Sequence, residues 1–201
     1  MKQLGVGFVS VVFLAITAAP AYADCTCDAA KVKNGWCADC KVGYFDSVKI
    51  KAKKLFGALE GKEVDVAALK CESCKNAVKK DGFCKQCKQG FVSKKQYGSQ
   101  LAYTLAKGEA QDASKIKCES CKKNAEKYGW CEACKVGLVG NVAFKDKDDF
   151  KKASESHDVL LAAVKAADKC ETCAIAMVTD GKCDACKISY KGGKKVKAEE
   201  P

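Results

Sequence analysis

Arginine is absent from this sequence, so all 36 of its cationic residues are lysines, and the formal net charge is +11. Such a basic excess ordinarily suggests nucleic-acid binding. Arginine, however, is the residue that forms bidentate contacts with phosphates and bases, and lysine does not replace it there. We therefore expect a solvated basic surface and no nucleic-acid partner. The lack of arginine also excludes a twin-arginine export signal.

Histidine occurs once, as His157, and no nucleophile motif lies beside it. The polar segment 154–158 around it predicts a break in a helix, with His157 in solvent rather than acting as a ligand. The sequence thus offers no general base in a recognisable catalytic setting, and we expect no enzymatic activity.

Long apolar runs are lacking after residue 23. Before it, Lys2 is followed by an apolar run from Leu4 to Ala19 and by the small-x-small sequence Ala21-Tyr22-Ala23. This pattern predicts a cleavable export signal over residues 1–23. No later stretch approaches the roughly 18 apolar residues that a membrane span needs. The mature protein is therefore predicted to begin at residue 24, to lack a transmembrane segment, and to be periplasmic or secreted.

Cysteine, in contrast, is abundant: the sixteen cysteines make up about 9 % of residues 24–201. They form four clusters that begin 46, 47 and 52 residues apart, which indicates an internal repeat. Three clusters share the pattern C-x2-C-x9-C-x2-C, and the first pair of the first cluster is one residue shorter. The clusters are Cys25, Cys27, Cys37 and Cys40; Cys71, Cys74, Cys84 and Cys87; Cys118, Cys121, Cys131 and Cys134; and Cys170, Cys173, Cys183 and Cys186.

Two C-x2-C pairs joined by a turn bring four thiolates to one tetrahedral metal ion, and zinc is the usual occupant. We expect up to four zinc ions, with copper(I) or another thiophilic metal as an alternative, and all sixteen cysteines as ligands. Lysines beside the cysteines would favour the thiolate form. Closed four-thiolate sites leave no open position for catalysis.

The segment Cys71–Val92 resembles the short zinc-ribbon modules, in which C-x2-C-G, a brief hairpin and F-C-x2-C-G hold one zinc. Similar segments occur at Cys25–Phe45, Cys118–Val139 and Cys170–Tyr190. The resemblance implies small zinc-stabilised α+β repeats. The chain departs from it directly after most cysteine pairs, where lysine replaces the family's glycine. These lysines are Lys41, Lys75, Lys88, Lys122, Lys135 and Lys187.

Cysteines in such clusters can also form disulfides, attach haem, bind iron–sulfur clusters or catalyse disulfide exchange. Disulfides remain an alternative, because an exported chain with an even number of cysteines often has a disulfide framework. Covalent haem attachment is excluded, because no C-x2-C pair is followed by histidine. Iron–sulfur clusters are not expected in a chain that is exported unfolded. Disulfide-exchange catalysis would need a larger framework than the connecting segments supply.

The repeat predicts modules at residues 24–45, 71–92, 118–139 and 170–190, joined by helical connectors at 46–70, 93–117 and 140–169. Helices are predicted at Lys51–Leu59, Gln100–Lys107 and Asp146–Ala167, the last broken near Ser154–Asp158. Each module should end in a short strand, such as Gly90-Phe91-Val92, and residues 191–201 should form a disordered basic tail. Within each module, the stretch between the cysteine pairs fits either a hairpin or a helical turn. We expect an array of modules without a single core.

Two finer features complete the prediction. A left-handed turn is expected two residues before each third cysteine, where a glycine follows Asn34, Asp81, Tyr128 or Asp180; the glycines are Gly35, Gly82, Gly129 and Gly181. The aromatic residue after three of them should shield the metal from water. The function expected is an exported metal-binding protein whose metal is structural or buffered. The alternative is a scaffold, held by zinc or disulfides, whose connectors bind a protein or envelope partner.

Overall fold

The computed structural model describes residue 30 and residues 34–112, 115–140 and 142–196. The helices with described bounds are α1 (Lys53–Leu59), α2 (Glu72–Lys79), α3 (Gln100–Ala106), α4 (Glu119–Lys127), α5 (Lys147–Ala167) and α6 (Glu171–Thr179). The strands are β1 (Trp36–Cys37), β2 (Val42–Phe45), β3 (Val48–Ile50), β4 (Lys62–Glu63), β5 (Phe83–Cys84), β6 (Gln89–Val92), β7 (Lys95–Tyr97), β8 (Glu109–Ala110), β9 (Gly129–Cys131), β10 (Val136–Val139), β11 (Val142–Phe144), β12 (Lys182–Cys183), β13 (Ile188–Lys191) and β14 (Lys194–Val196). The predicted signal, Cys25, Cys27 and residues 197–201 lie outside the described residues.

Each cysteine cluster contributes to an antiparallel sheet of consecutive strands: β1-β2-β3, β5-β6-β7, β9-β10-β11 and β12-β13-β14. In the second, third and fourth modules, a helix of eight or nine residues begins at the first cysteine pair and extends toward the second pair. The sequence between the two cysteine pairs was compatible with either a hairpin or a helical turn, and the zinc-ribbon resemblance implied a hairpin. The structure therefore has a small α+β module in which a helix, rather than a hairpin, carries the first cysteine pair.

The predicted modules are too short at their C-terminal ends. A third strand, β3, β7, β11 or β14, completes each sheet beyond the predicted boundary. The last of these, at Lys194–Val196, lies in the segment predicted to be a disordered tail, so that prediction is wrong up to Val196. The connectors also supply strands, because β4 pairs with β7 and β8 pairs with β11. Each of these connectors thus adds an edge strand to the module that follows it.

A left-handed residue lies before each third cysteine, where a left-handed turn is predicted, and it is the residue that precedes the glycine. Asn34, Asp81, Tyr128 and Asp180 have φ values from 48 to 53°. Asparagine and aspartate tolerate this conformation, and the side chain of Asp81 also accepts the backbone N–H of Ser93 at 2.8 Å. Gly82 instead donates its N–H to the carbonyl of Ala77 at 2.8 Å, at the end of α2. A Cβ on Gly82 would make only ordinary contacts, the nearest at 3.5 Å from Ala77.

The helix α5 is continuous from Lys147 to Ala167, so the predicted break at Ser154–Asp158 is wrong. Ala153, His157, Leu160 and Ala163 recur at intervals of three or four residues, and none is more than 4 % exposed. This spacing makes one buried face of a helix. The polar residues of the segment lie between these positions, which is why the sequence suggested an interruption.

One hydrophobic core joins the four modules, in contrast to the predicted array without a single core. Module 1 contributes Phe45 and Ile50, and module 3 contributes Val139 and Phe144. All of the connector helices take part, as does α6 through Ala174 and Val178. The connectors are therefore core elements of one molecule, and they do not act as spacers between independent domains.

A repeated contact fixes each connector helix on the module before it. An aromatic ring of the helix covers a glycine of the central strand, so closely that a Cβ there would lie 2.3 Å from a carbon of the aromatic side chain. The pairs are Gly43 with Phe56, Gly90 with Tyr103 and Gly137 with Phe150. The same rings lie 5.5, 5.5 and 5.9 Å from Trp36, Phe83 and Trp130, respectively, measured between centroids. These three residues, expected to shield the metal, pack against the connector helices.

The fourth module lacks both partners of this contact. Ser189 occupies the position of the glycine, and Lys182 that of the aromatic residue before the third cysteine. Polar residues on the outer face are typical of a terminal repeat, which has no neighbour to cover it. The fourth module therefore closes the described array.

Candidate metal centres

The first cysteine pair of each fully described module lies at the start of a helix. Cys71, Cys118 and Cys170 are the N-cap residues of α2, α4 and α6. The second cysteine of the pair follows three residues later, and residues at this spacing lie on the same side of a helix. The Sγ of Cys170 accepts the backbone N–H of Cys173 at 3.4 Å. The exposed N–H groups of a helix N-terminus stabilise a thiolate at this position.

The second cysteine pair lies in the tight turn between the first two strands of the sheet. The Sγ of Cys84 accepts the backbone N–H of Cys87 at 3.4 Å, and Lys88, which follows, has a φ of 53°. The turn thus keeps the left-handed residue for which the zinc-ribbon family uses glycine. Lys75 and Lys122, the corresponding residues after the first pair, lie within helices, where no glycine is needed.

The four sulfurs of each module converge on one point. Within each of the three tetrads, all four Sγ atoms lie within 4.8 Å of one another. Individual separations are 4.0 Å for Cys71–Cys84, 3.9 Å for Cys118–Cys131 and 3.8 Å for Cys170–Cys183. A tetrahedron of thiolates with metal–sulfur bonds of about 2.3 Å has edges of about 3.8 Å. The tetrads are therefore close to the dimensions of a tetrathiolate metal site, and none of their cysteines is in a disulfide.

One thiol in each tetrad has a pKa below the ordinary value for cysteine. The backbone N–H of Cys74 lowers the pKa of Cys71 to about 7, and that of Cys173 does the same for Cys170. In the third module the backbone N–H of Cys134 lowers the pKa of Cys131 to about 6. Burial, followed by the neighbouring thiols, raises the pKa of Cys74 and of Cys121. Several buried thiols side by side resist ionisation until a cation balances their charge.

Each tetrad is closed on one side and open on the other. Two of its cysteines are buried, one is half-buried, and the last, Cys87, Cys134 or Cys186, is exposed. The buried cysteines account for two of the four residues in each module's own small hydrophobic cluster, for example Cys74, Ala77, Cys84 and Phe91. Without a metal, little else would hold the sheet of a module against its helix.

The first cluster is only partly described. Cys37 ends β1, and its Sγ accepts the backbone N–H of Cys40 at 3.5 Å, as in the other modules. Lys41 follows with a φ of 52°, and Cys40 takes part in a disulfide. Cys25 and Cys27 lie outside the described residues. A fourth metal site there stays a prediction.

Lysines near the second and third tetrads form salt bridges with neighbouring carboxylates. Lys75 pairs with Glu72 at 2.6 Å and Lys122 with Glu119 at 2.7 Å, each one helical turn apart. These pairs are exposed and contribute little to stability. They place positive charge beside the cysteine pairs on α2 and α4, as the sequence suggested.

His157 is buried and not in solvent, which corrects the prediction. Its Nδ1 lies 2.5 Å from Oδ2 of Asp46, and the two side chains are 5 % and 1 % exposed. The ring of Tyr128 packs edge-on against the imidazole. Burial raises the pKa of Asp46, while the hydrogen bond and charge of His157 lower it. The pair joins the β2–β3 turn of the first module to α5, and its role is structural.

Two residues that bear on the sites were not identified from the sequence. Asp46 carries no local signal, because its partner is 111 residues away. Tyr190 packs in one buried cluster with Cys173 and Cys183. The signal for Tyr190 was its position, which matches that of Tyr44, Phe91 and Leu138 in the other modules.

Comparison of the chain with known protein families, with curated proteins and with solved structures finds no match. Among the described residues, no helix combines the length and apolar character that crossing a membrane requires. The tetrads are therefore the feature of this chain that points to its function.

Proposed function

We propose that this chain is an exported, non-enzymatic zinc-binding protein whose metal ions are primarily structural. The observation that carries the proposal is the convergence of twelve cysteines into three tetrads with sulfurs no more than 4.8 Å apart. The proposal covers these three sites, because Cys40 of the first cluster takes part in a disulfide and so offers no thiolate to a metal.

A structural role is favoured over buffering because few buried residues besides the cysteines join the helix of each module to its own sheet. The cluster beside each tetrad contains four buried residues, two of them cysteines. A structural zinc contributes about 10–16 kcal/mol of apparent binding energy per site, far more than such a cluster. Metal binding would therefore be coupled to the folding of each sheet onto its helix.

Intact mass spectrometry of the protein, purified from the exported fraction, tests the proposal. Under native conditions the mass should exceed the denatured mass by at least three zinc ions, since three tetrads are complete. Disulfides would instead subtract two hydrogens per bond in both spectra. With zinc in excess and no chelator present, the matched variants Cys186→Ser and Cys87→Ser should each bind one zinc fewer than the parent. Fewer than about two zinc equivalents per reduced chain would contradict tetrathiolate binding.

A further inference from the structure

The sheet of the fourth module differs from those of the second and third at its outer edge. In the second and third modules, two residues of the preceding connector pair antiparallel with the first two residues of the third strand. The pairs are Lys62 with Gln96, Glu63 with Lys95, Glu109 with Ala143 and Ala110 with Val142. In the fourth module, β14 has only β13 as a neighbour among the described residues. Its outer edge is open there.

The length of α5 explains why the connector supplies no strand to the fourth module. The helices α1 and α3 end at Leu59 and Ala106, so residues 60–70 and 107–117 precede the next cysteine cluster and supply β4 and β8. The helix α5 continues to Ala167 and leaves only residues 168–169 before Cys170. Two residues are too few to return along the sheet and add a strand.

The backbone of β14 has hydrogen-bonding groups directed toward this open edge. Tyr190 donates its N–H to the carbonyl of Gly181, on the side away from β14. Residues opposite each other in an antiparallel pair alternate between bonding to each other and bonding outward. Lys195 is opposite Tyr190, so its N–H and C=O face the open edge. In the second module the corresponding edge carries a bond from the N–H of Val64 to the carbonyl of Lys94.

The side chains along the open edge are basic and exposed. All three residues of β14 are exposed, and Lys191 on β13 lies opposite Lys194. Within the part of the chain that the structure describes, no carboxylate forms an ion pair with these lysines. In the second module, in contrast, Glu63 of the added strand lies opposite Lys95, which corresponds to Lys194. A strand added to β14 would therefore meet lysines that have no acidic partner.

The last residue of β14 is uncovered as well. Val196 is 41 % exposed, whereas Tyr97 and Phe144, at the same position of the second and third sheets, are 9 and 3 % exposed. The edge thus offers apolar contact area beside its charges.

A second copy of this edge is a poor partner for β14. Short length and lysines protect edge strands from unwanted pairing. Two copies of β14 side by side would place lysines opposite lysines, and like charges directly opposite each other are destabilising. The same lysines favour a strand that carries carboxylates. The charge of the edge therefore selects an acidic partner.

We propose that β14 binds an extended acidic segment of a partner protein by strand addition, in the place that β4 and β8 take on β7 and β11. In this mode of recognition, main-chain hydrogen bonds give affinity and the alternate side chains give specificity. The carboxylates of the partner pair with Lys194 and Lys195. The interaction goes beyond metal binding, and it requires only that the fourth module is folded.

Fluorescence anisotropy of a labelled synthetic peptide with the zinc-loaded full chain tests this inference. The probe is a peptide of alternating glutamate and threonine with about eight residues, an ordinary strand length. A control peptide with the same side chains carries an N-methyl group on every residue, so it keeps the charge and loses the backbone donors. The control should bind at least about 10-fold more weakly, because it cannot form the backbone hydrogen bonds.

Hydrogen exchange measured by NMR locates the binding. The amide of Lys195 should become protected when the unmodified peptide is added, because its N–H faces the open edge. The amide of Tyr190, which is already bonded to Gly181, should keep the protection that it has in the free protein.

Charge reversal provides the matched variants. Lys194→Glu/Lys195→Glu should weaken binding of the glutamate peptide by at least about 10-fold and favour the corresponding lysine peptide. Lys79→Glu/Lys80→Glu makes the same charge change at two adjacent exposed lysines at the end of α2 and should bind as the parent does.

The inference is overturned if the methylated peptide binds as tightly as the unmodified one, since charge alone would then account for binding. It is also overturned if the Lys195 amide gains no protection. Absence of peptide binding would show that the lysines only keep the edge free of partners. Binding to vesicles of phosphatidylglycerol without binding to the peptide would assign the basic edge to a membrane surface and likewise overturn it.

Discussion

Lys88 and Lys75 both follow a cysteine pair directly, yet their backbones differ. Lys88 is left-handed, with a φ of 53°, and Lys75 lies inside α2. The left-handed conformation costs a residue with a Cβ roughly 1–2 kcal/mol, whereas glycine adopts it freely. Glycine inside a helix, in contrast, costs about 1 kcal/mol relative to good helix formers. The same substitution should therefore act in opposite directions at the two positions.

Lys88→Gly is predicted to leave the metal-loaded protein as stable as the parent or slightly more so. Lys75→Gly should destabilise it, making the difference between the two variants at least about 1 kcal/mol. Urea unfolding of both loaded variants, followed by circular dichroism, measures this difference. Equal stability of the two variants would show that the turn at Lys88 is not strained.

Asp46 and His157 form a buried pair, so removal of one partner leaves the other without compensation. His157→Leu is predicted to cost about 3 kcal/mol at neutral pH, because it strands a buried carboxylate. Burial already raises the pKa of Asp46, and loss of His157 removes the interactions that oppose this rise. A group whose pKa is raised by folding destabilises the fold as the pH increases through that pKa.

The penalty of His157→Leu should therefore shrink as the pH falls from neutrality toward 3.8, the ordinary value for aspartate. Urea unfolding at several pH values measures it. The double variant Asp46→Asn/His157→Leu is the control, and its deficit should change little with pH over that interval. A penalty in His157→Leu that is independent of pH would mean that the loss of His157 leaves the pKa of Asp46 unchanged.

At the scale of the elements, each connector helix is attached through an aromatic ring seated on a glycine. Gly43 and Gly57 provide a matched pair in and beside the first module. A Cβ on Gly43 would lie 2.3 Å from Cδ2 of Phe56, whereas a Cβ on Gly57 in α1 would meet nothing within 4 Å. The ring of Phe56 is buried, so it cannot move aside without loss of packing.

Gly43→Ala is predicted to destabilise the protein by about 1–3 kcal/mol through overpacking. Gly57→Ala should stabilise it by up to about 1 kcal/mol, because alanine is the better helix former. In thermal unfolding of the metal-loaded proteins, Gly43→Ala should therefore unfold at a lower temperature than the parent and Gly57→Ala at a higher one. A Gly43→Ala variant that unfolds at the parent temperature would show that the α1 contact is loose.

The sequence predicted the elements better than their assembly. The strand around Phe91 and the C-terminal ends of α1 and α3 were predicted correctly to within one residue, because short apolar runs are local signals. The spacing of the cysteines also predicted the three tetrads whose sulfurs lie close enough together to hold a metal. The continuity of α5 was missed, because burial of its polar segment depends on partners distant in sequence.

At the scale of the whole molecule, the three complete tetrads lie around one shared core. The second module contributes Tyr97, and its connector α3 contributes Tyr103 and Leu105 to that core. The cluster holding Cys74 and Cys84 lies on the same sheet as Tyr97, which ends β7. Loss of the second metal should therefore loosen a sheet on which the other modules depend, so that the sites lose metal together.

Partial removal of zinc by a chelator is accordingly predicted to give mainly fully loaded and metal-free molecules. Native mass spectrometry of the titrated protein shows the distribution directly, and circular dichroism should report helix loss in step with it. In Cys84→Ser, which disrupts only the second tetrad, metal should leave the third and fourth sites at lower chelator concentrations than in the parent. Lys85→Ala, a change at an exposed residue between Cys84 and Cys87, is the control and should behave as the parent does. A statistical ladder of partly loaded species, with helix content retained, would show instead that each site holds only its own module.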